Sequence, residues 1–192
     1  MDQSSTPRLI YAFALPGGQA RLHEASLYVI EKCAEAEFFG LTKLNKMLWR
    51  ADFQAYAGRR QPVTGRQYHR LKFGPAPVEM PIVLDELLAF GAIKLEKRQK
   101  IDFYENRPMA CQSANHRWFS PDDLRYLDEA VEFYWGSTGR GVSKHSHGVA
   151  WETRENGEPM PYNLALLSDD PLTPSETNYF ASLGKERNWA TA

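Results

Sequence analysis

Several features that would mark a specialised protein are scarce or absent in this sequence. Cysteine occurs twice in 192 residues, as Cys33 and Cys111. Neither a disulfide framework nor a cysteine-rich metal site is therefore predicted, and a reducing, cytoplasmic location fits. The apolar run "LIYAFAL" near the N-terminus is too short to cross a bilayer and lacks the basic start of a signal peptide. We expect no membrane partner.

An excess of charge of one sign is also missing. The 23 basic and 24 acidic side chains nearly cancel and leave a net charge of −1. A general binder of polyanions needs an uncompensated basic surface, so the composition argues against that class. The hydrophobic share of 43% and the charged share of 24% are ordinary for a globular protein, and the length suffices for one compact domain.

What the sequence does contain is helical periodicity. Apolar residues recur at helical spacing over residues 22–39, where Gly40 can end the helix, and in "VEMPIVLDELLAFG", where Gly91 can end it. The strongest signal is "FSPDDLRYLDEAVEFYWG", with Ser120 as the N-cap, Pro121 at the first position and two aspartates in the first turn. These three segments predict helices.

Two shorter helices are predicted nearer the C-terminus. One begins at Ser143, and the other follows Thr173, because Thr173 and Glu176 have the spacing of a capping box. Extended segments are predicted elsewhere. "RQYHRLKF" contains a short strand that "FGPAP" stops, and "AIKLEKRQKIDFYENRPMACQ" is typical of a β-hairpin with "ENRP" as its turn.

Together these segments predict a single α+β domain, mainly α-helical, with a small antiparallel β-sheet or hairpin. We place its body at residues 22–167, after an N-terminal extension (1–21) and before a polar C-terminal tail (168–192) that contains the last short helix. No cofactor is predicted, since "LPGGQ" lacks the Lys-Ser/Thr of a phosphate-binding loop.

The stretch "LTKLNKMLWRADFQAYAG", residues 41–58, predicts a helix with two apolar faces that Thr42 can cap. The first face consists of Leu44, Met47, Leu48, Ala51 and Ala55. The second face adjoins it and consists of Trp49, Asp52, Phe53 and Tyr56. A helix that is apolar over so wide an arc either is buried on two sides or keeps one side for a partner.

Asp52 is the polar centre of the second face, and the sequence leaves two interpretations open. The carboxylate can pair internally with an arginine such as Arg66 or Arg70. It can instead form the centre of an aromatic interface, because aromatic side chains dominate binding hot spots.

Candidate catalytic and metal-binding residues are few. His145 and His147 flank Ser146, but no recognisable ligand spacing accompanies them, so no metal is predicted. A hydrolase built on Ser146 and His147 is the weaker hypothesis, because neighbours in sequence rarely aim at each other and no nucleophile-elbow motif is present. We prefer a serine that caps a short turn and an imidazole that bonds to backbone or a carboxylate.

Two basic stretches support an alternative function, DNA binding by an autoregulator. The first contains Arg59, Arg60, Arg66, Arg70 and Lys72, and the second, in the predicted hairpin, contains Lys94, Lys97, Arg98 and Lys100. A hairpin with basic residues beside helices is the arrangement of winged-helix proteins. The opposing interpretation is that acids in neighbouring elements neutralise these charges, as the overall balance indicates.

A set of segments, in their order along the chain, resembles one family. They are "TKLNKMLWRADF" (42–53), "PVTGRQYHRLKFGPAP" (62–77), "LDELLAFG" (84–91), "FSPDDLRYLDEAV" (119–131), "SKHSHGVAWE" (143–152) and "GEPMPYNLAL" (157–166). This order is similar to that of the Panacea domain of SocA-like antitoxins from bacteria and their phages. The residues that carry the resemblance are Lys43, Leu44, Lys46, Leu48, Ala51, Asp52, Phe53, Pro62, Thr64, Gly65, Tyr68, Phe73, Gly74, Pro75, Pro77, Ser146, His147 and Trp151.

The resemblance implies an antitoxin rather than an enzyme. Members are similar in binding and neutralising a toxin encoded by an adjacent gene, and one branch resembles an adaptor that hands its toxin to a cytoplasmic protease. Trp49 stands where such sequences often have tyrosine. The second face of the 41–58 helix, which includes Trp49 and Tyr56, either packs under "FGPAP" or meets the toxin. We interpret the motif residues as scaffold first and interface second, because the family's toxins differ while the motif is shared.

Overall fold

Helices account for most of the regular structure. The computed structural model describes residues 8–100, 104–167, 170 and 173–186. Its α-helices are α1 (Gln19–Lys32), α2 (Leu41–Arg59), α3 (Met80–Ala89), α4 (Pro121–Tyr134), α5 (Gly139–His145), α6 (Val149–Glu152) and α7 (Pro174–Glu186), and 3₁₀ turns form at His116–Trp118 and Tyr162–Leu166. Its strands are β1 (Tyr68–Leu71), β2 (Gly74–Pro77), β3 (Ile93–Gln99), β4 (Tyr104–Ala110) and β5 (Pro159–Met160). The predicted α+β, mainly helical fold class is confirmed.

Helix α2 lies between two hydrophobic clusters, which accounts for its two apolar faces. The first face packs in the main core against buried residues of α1, α3 and α4. The second face contributes to a smaller aromatic cluster, whose buried members are Phe53, Tyr56, Tyr68, Met160, Tyr162 and Leu164. The helix is therefore apolar on two sides because the protein surrounds it on two sides.

The first helix ends earlier than predicted. Residues 22–39 and Gly40 predicted one continuous helix, but α1 stops at Lys32 and Gly40 is instead the N-cap of α2. The buried guanidinium of Arg107 explains the difference. It donates to three backbone carbonyls within residues 33–36 at 2.7–2.9 Å. Carbonyls at the end of a helix lack helical partners, so this cation from a distant strand stabilises the turn that leaves α1.

The strands form two small antiparallel sheets. In the first, β1 lies between β2 and β5; the second is the hairpin of β3 and β4, which runs from Ile93 opposite Ala110 to Gln99 opposite Tyr104. The hairpin was predicted, but its turn was misplaced, because "ENRP" lies inside β4. The two charged side chains of that stretch, Glu105 and Arg107, are both buried, whereas a turn at the surface would leave them exposed. Residues 101–103, between the strands, are outside the described part.

Three other local predictions are wrong. Thr42 lies in the first turn of α2, and the N-cap Gly40 offers no side chain to bond. Ser143 lies inside α5, which begins earlier because the Thr138 hydroxyl accepts from the backbone N–H of Gly141. The segment "FGPAP" does not simply end a strand, since part of it forms β2 and pairs with β1.

Helix termini with strong local signals formed as predicted. Pro81 lies in the first turn of α3, and Gly91 follows its end with a φ of 65°, which glycine adopts without strain. The predicted last helix exists as α7, although the Glu176 side chain of its predicted capping box lies outside the described part.

The start of α4 carries the complete capping box. Ser120 Oγ accepts from the backbone N–H of Asp123 at 3.1 Å, and the Asp123 carboxylate accepts from the backbone N–H of Ser120 at 2.8 Å. The same carboxylate is paired with Arg21 of α1 and Arg59 of α2. One aspartate therefore caps α4 and also joins it to the two helices that it packs against.

Loss of the Ser120 hydroxyl should weaken this junction. We expect Ser120→Ala to lower the free energy of unfolding by about 1 kcal/mol, because the N–H at the third helical position loses its acceptor. Urea denaturation would measure the change. Ser120→Thr, which keeps a capping hydroxyl, is the control and should stay near wild type; equal losses in both variants would contradict a capping role.

Candidate functional site

Three polar side chains of α2 extend into the interior at different points along the helix. Lys43, Lys46 and Asp52 are all buried. The side chain rotates back by about 60° around the helix from Lys43 to Lys46 and by about 120° from Lys46 to Asp52, so the three groups meet different parts of the fold. A buried charge is costly unless its hydrogen bonds are replaced, and each of these groups has specific partners.

Lys43 binds the segments that flank α2. Its ammonium donates to the carbonyl of Phe38 at 2.8 Å, of Trp135 at 2.6 Å and of Ser137 at 3.1 Å. Two of these carbonyls follow the end of α4, where helical partners are missing. Burial lowers the pKa of Lys43. This side chain therefore joins the loop before α2 to the loop after α4.

Lys46 binds the "FGPAP" segment. Its Nζ donates to the carbonyl of Pro75 at 2.6 Å, and burial lowers the pKa of the ammonium from 10.5 to about 7. Gly74 packs directly on the lysine stem with a φ of 99°. A Cβ at Gly74 would overlap with Lys46 Cε and Ser146 Oγ, so this position requires glycine for both its conformation and its space.

Asp52 is the acceptor at the centre of a hydroxyl network. Its carboxylate accepts from the backbone N–H of Thr64 at 2.6 Å, from the Thr64 hydroxyl, from Tyr68 Oη at 2.9 Å and from Tyr162 Oη at 3.3 Å. Burial raises the pKa of Asp52, while these hydrogen bonds act in the opposite direction. Burial and the nearby carboxylate raise the pKa of both tyrosines well above 10.

The aromatic members of the second face surround this network. The ring centroid of Phe53 lies 5.1 Å from that of Tyr162 and 5.7 Å from that of Tyr68, and Tyr56 lies 5.6 Å from Tyr162. Trp49 packs beside Phe53 at 5.4 Å. Such separations are typical of favourable aromatic pairs, and the rings exclude water from the carboxylate.

The late motif segment forms a stack against β1. The imidazole of His147 lies parallel to the indole of Trp151, with centroids 3.7 Å apart, and the guanidinium of Arg70 lies 3.7 Å from a Trp151 ring. Trp151 Nε1 donates to the carbonyl of Leu71 at 2.9 Å. Burial, together with the charges of Lys46 and Arg70, lowers the pKa of His147. The four-residue spacing of His147 and Trp151 thus places one ring over the other.

The predicted site residues lie almost entirely inside the protein. Phe73 is exposed, and three residues are half-buried: Trp49, His147 and Trp151. The other nine are buried: Lys43, Lys46, Asp52, Phe53, Tyr56, Tyr68, Gly74, Pro75 and Ser146. The structure brings them together around α2 rather than in an open cleft. Asp52 pairs with neither of the arginines considered from the sequence, because Arg66 is paired with Glu79 and Arg70 lies over Trp151.

Sequence reasoning missed some of the side chains that complete this arrangement. Tyr162 bonds to Asp52 and to the carbonyl of Arg66 at 2.7 Å, and its only signal was a position within "GEPMPYNLAL". Phe13 packs on Tyr162 at 5.4 Å, although the N-terminal segment was predicted to be an extension outside the domain. Both contacts span long distances in sequence and leave no local pattern.

An open groove lies at the start of α2. It has a volume of about 670 Å³, and its lining includes Phe38, Lys43, Tyr104, Glu105 and Arg140. Two of its charged groups are already engaged by the fold, because Lys43 binds three carbonyls and the Glu105 carboxylate accepts from a backbone N–H at 3.0 Å. The groove offers mixed charge and no converging set of free groups.

Two further observations concern metals and membranes. Within the described residues, no three His, Cys, Asp or Glu side chains lie close enough together to hold a metal ion. None of the helices in that part of the chain combines the length and apolar character that a bilayer crossing needs.

The buried charges of α2 bind backbone groups and hydroxyls of other segments of the chain. The chain belongs to the family described as antitoxin SocA-like, Panacea domain, whose sequence model matches residues 44–152. No curated protein and no solved structure matches the chain. The matched residues run from the first buried turn of α2 to the end of α6 and contain all of the motif residues except Lys43.

The Asp52 network should contribute strongly to stability. Asp52→Ala would leave the Thr64 and Tyr68 donors buried without an acceptor, at a cost of about 1–3 kcal/mol for each orphaned group. We expect a loss of at least about 2 kcal/mol in the free energy of unfolding, measured by chemical denaturation. Asp52→Asn, which keeps one acceptor oxygen, should lose less. A wild-type stability for Asp52→Ala would contradict the assigned role.

The buried Lys46 predicts a pH dependence. Between pH 7 and 8.5 the folded lysine loses its proton, whereas the unfolded lysine keeps it because its pKa is near 10.5. The unfolded state then holds more protons, so stability rises with pH in this window. We expect wild type to gain about 1–2 kcal/mol relative to Lys46→Met over that range. Parallel unfolding curves for the two proteins at each pH would contradict the assignment.

Proposed function

We propose that this protein is an antitoxin that neutralises a toxin from an adjacent gene by stoichiometric protein–protein contact in the cytoplasm, without catalysis. The observation that carries the proposal is membership of the SocA-like antitoxin family, whose model covers residues 44–152 of the 192. The contacts inside the molecule support a binding mechanism and indicate where binding does not occur.

The motif residues act as the scaffold of the binding domain. Lys46 and Asp52 are buried and saturated by partners within the chain, so a toxin cannot reach them without unfolding the domain. A scaffold of this kind is compatible with partners of different structure, because the contact surface lies on other, exposed residues.

The geometry around Ser146 favours binding over hydrolysis. The Ser146 hydroxyl donates to the carbonyl of Ser143 at 2.9 Å, so its proton is directed to backbone. The His147 imidazole lies flat against Trp151. A general base must lie within hydrogen-bond reach of the proton that it removes. The proton of the Ser146 hydroxyl is instead donated to a backbone carbonyl.

Four of the nine cations in the two basic stretches are paired with acids of the described residues, and this pairing counts against DNA as the partner. Arg59 is paired with Asp122 at 2.8 Å and with Asp123. Glu96 is paired with Lys94 at 3.1 Å and with Arg98 at 3.2 Å. Neutralised cations release fewer counterions from a nucleic acid and contribute less to its affinity.

Growth of a bacterial host tests the function. We expect the product of the adjacent gene to arrest growth when expressed alone, and co-expression of this protein to restore growth. The purified proteins should co-elute in gel filtration, and intact mass spectrometry should find the toxin unchanged in mass. A harmless neighbour, or arrest that persists on co-expression, would overturn the proposal.

A double variant separates binding from catalysis. Ser146→Ala with His147→Phe removes the hydroxyl and the imidazole while the phenyl ring keeps the contact with Trp151. If neutralisation is stoichiometric, this variant rescues growth as well as wild type, provided that its melting temperature is close to wild type. A folded variant that no longer rescues growth would indicate chemistry at these residues.

A further inference from the structure

Helix α3 has a second apolar side that faces away from the protein. Its buried side consists of Met80, Val83 and Leu87. At about 100° per residue, the opposite side consists of Pro81, Ile82, Asp85 and Ala89, and all four are exposed. Val78, just before the helix, and Phe90, just after it, are exposed as well. We call these six residues the α3 outer face.

The α3 outer face exposes large hydrophobic side chains where a surface helix normally carries polar ones. Phe90 is 78% exposed and Ile82 is 57% exposed. Single exposed hydrophobic residues are common, but a helix side formed almost entirely by them is typical of a protein interaction surface. The α3 outer face takes no part in the main core, because the inner side of α3 packs in that core.

The segment that contains α3 has acidic side chains but no basic ones. From Phe73 to Ile93 the sequence contains no lysine or arginine. Glu79 is paired with Arg66 at 2.7 Å, and Glu86 with His23 at 2.6 Å. Asp85, in the middle of the outer face, has no cation within ion-pair distance among residues 8–100 and the other described segments. Its carboxylate is therefore available to a cation from another molecule.

Another exposed aromatic site is less suitable. Phe133 and Trp135, at the end of α4, are each nearly half exposed. The guanidinium of Arg50 lies 3.5 Å from the Phe133 ring centroid, and His145 contacts the ring edge. The protein itself already occupies that aromatic face.

We infer that the α3 outer face is the toxin-binding surface, and that it takes an apolar segment of the toxin carrying a lysine or arginine opposite Asp85. The inference rests on the proposed antitoxin function. Ile82 and Phe90 would supply the central apolar contacts, and Asp85 would supply charge complementarity, which selects the partner and fixes its register.

A single charged substitution tests the apolar contact. The probe is the purified product of the adjacent gene, titrated by calorimetry against this protein and its variants. We expect Ile82→Asp to raise the dissociation constant about tenfold or more with little change in melting temperature, because the side chain is exposed. Leu167→Asp is the matched control, since Leu167 is 50% exposed and lies outside α3; it should bind like wild type.

The charge is tested at Asp85. A toxin cation opposite this carboxylate predicts that Asp85→Lys weakens binding more than the neutral variant Asp85→Asn. Equal affinities of the toxin for Asp85→Lys, Asp85→Asn and wild type would contradict a toxin lysine or arginine opposite Asp85.

The outcomes separate this inference from the proposed function. If wild type binds the toxin and Ile82→Asp binds it equally well, the surface assignment is wrong while the antitoxin function stands. If wild type does not bind the toxin, the proposed function itself fails. If light scattering shows a dimer of this protein that Ile82→Asp dissociates, the face belongs to a second copy of the chain, and the inference is overturned.

Discussion

The burial of charged side chains on α2 is the constraint on which the rest of the structure depends. A lysine or aspartate in an apolar interior must replace its lost hydration with hydrogen bonds. Lys43 and Lys46 obtain them from backbone carbonyls, and Asp52 obtains them from an N–H and three hydroxyls. Because these partners belong to separate loops and strands, each buried charge also sets the position of a segment that has little regular structure of its own.

This arrangement brings together motif residues that lie far apart in sequence. Gly74 leaves the space that the Lys46 stem occupies, and Thr64 supplies two of the donors that Asp52 requires. A change at one of these positions leaves a buried group on α2 without its partner. The interactions are internal, so they constrain the fold and leave the exposed surface free to vary.

Helix α3 is largely apolar on both of its sides. Its inner side contributes Val83 and Leu87 to the main core, while its outer side is apolar without an internal reason. In a domain whose motif residues are already saturated, exposed apolar area of this kind is the natural source of binding energy.

The sequence by itself determined the elements whose signals are local. The N-cap at Ser120, the glycine after α3 and the existence of a β-hairpin after α3 were predicted correctly, because neighbouring residues supply the hydrogen bonds and the backbone freedom involved. It also predicted that the 41–58 helix has two apolar faces. Only the tertiary structure decided where α1 ends, which side chains satisfy Asp52, and that "ENRP" is a strand. Each of these depends on a long-range partner, such as Arg107 at the end of α1 or Tyr162 beside the carboxylate, and the energy of burying a polar group is set by partners that the local sequence does not contain.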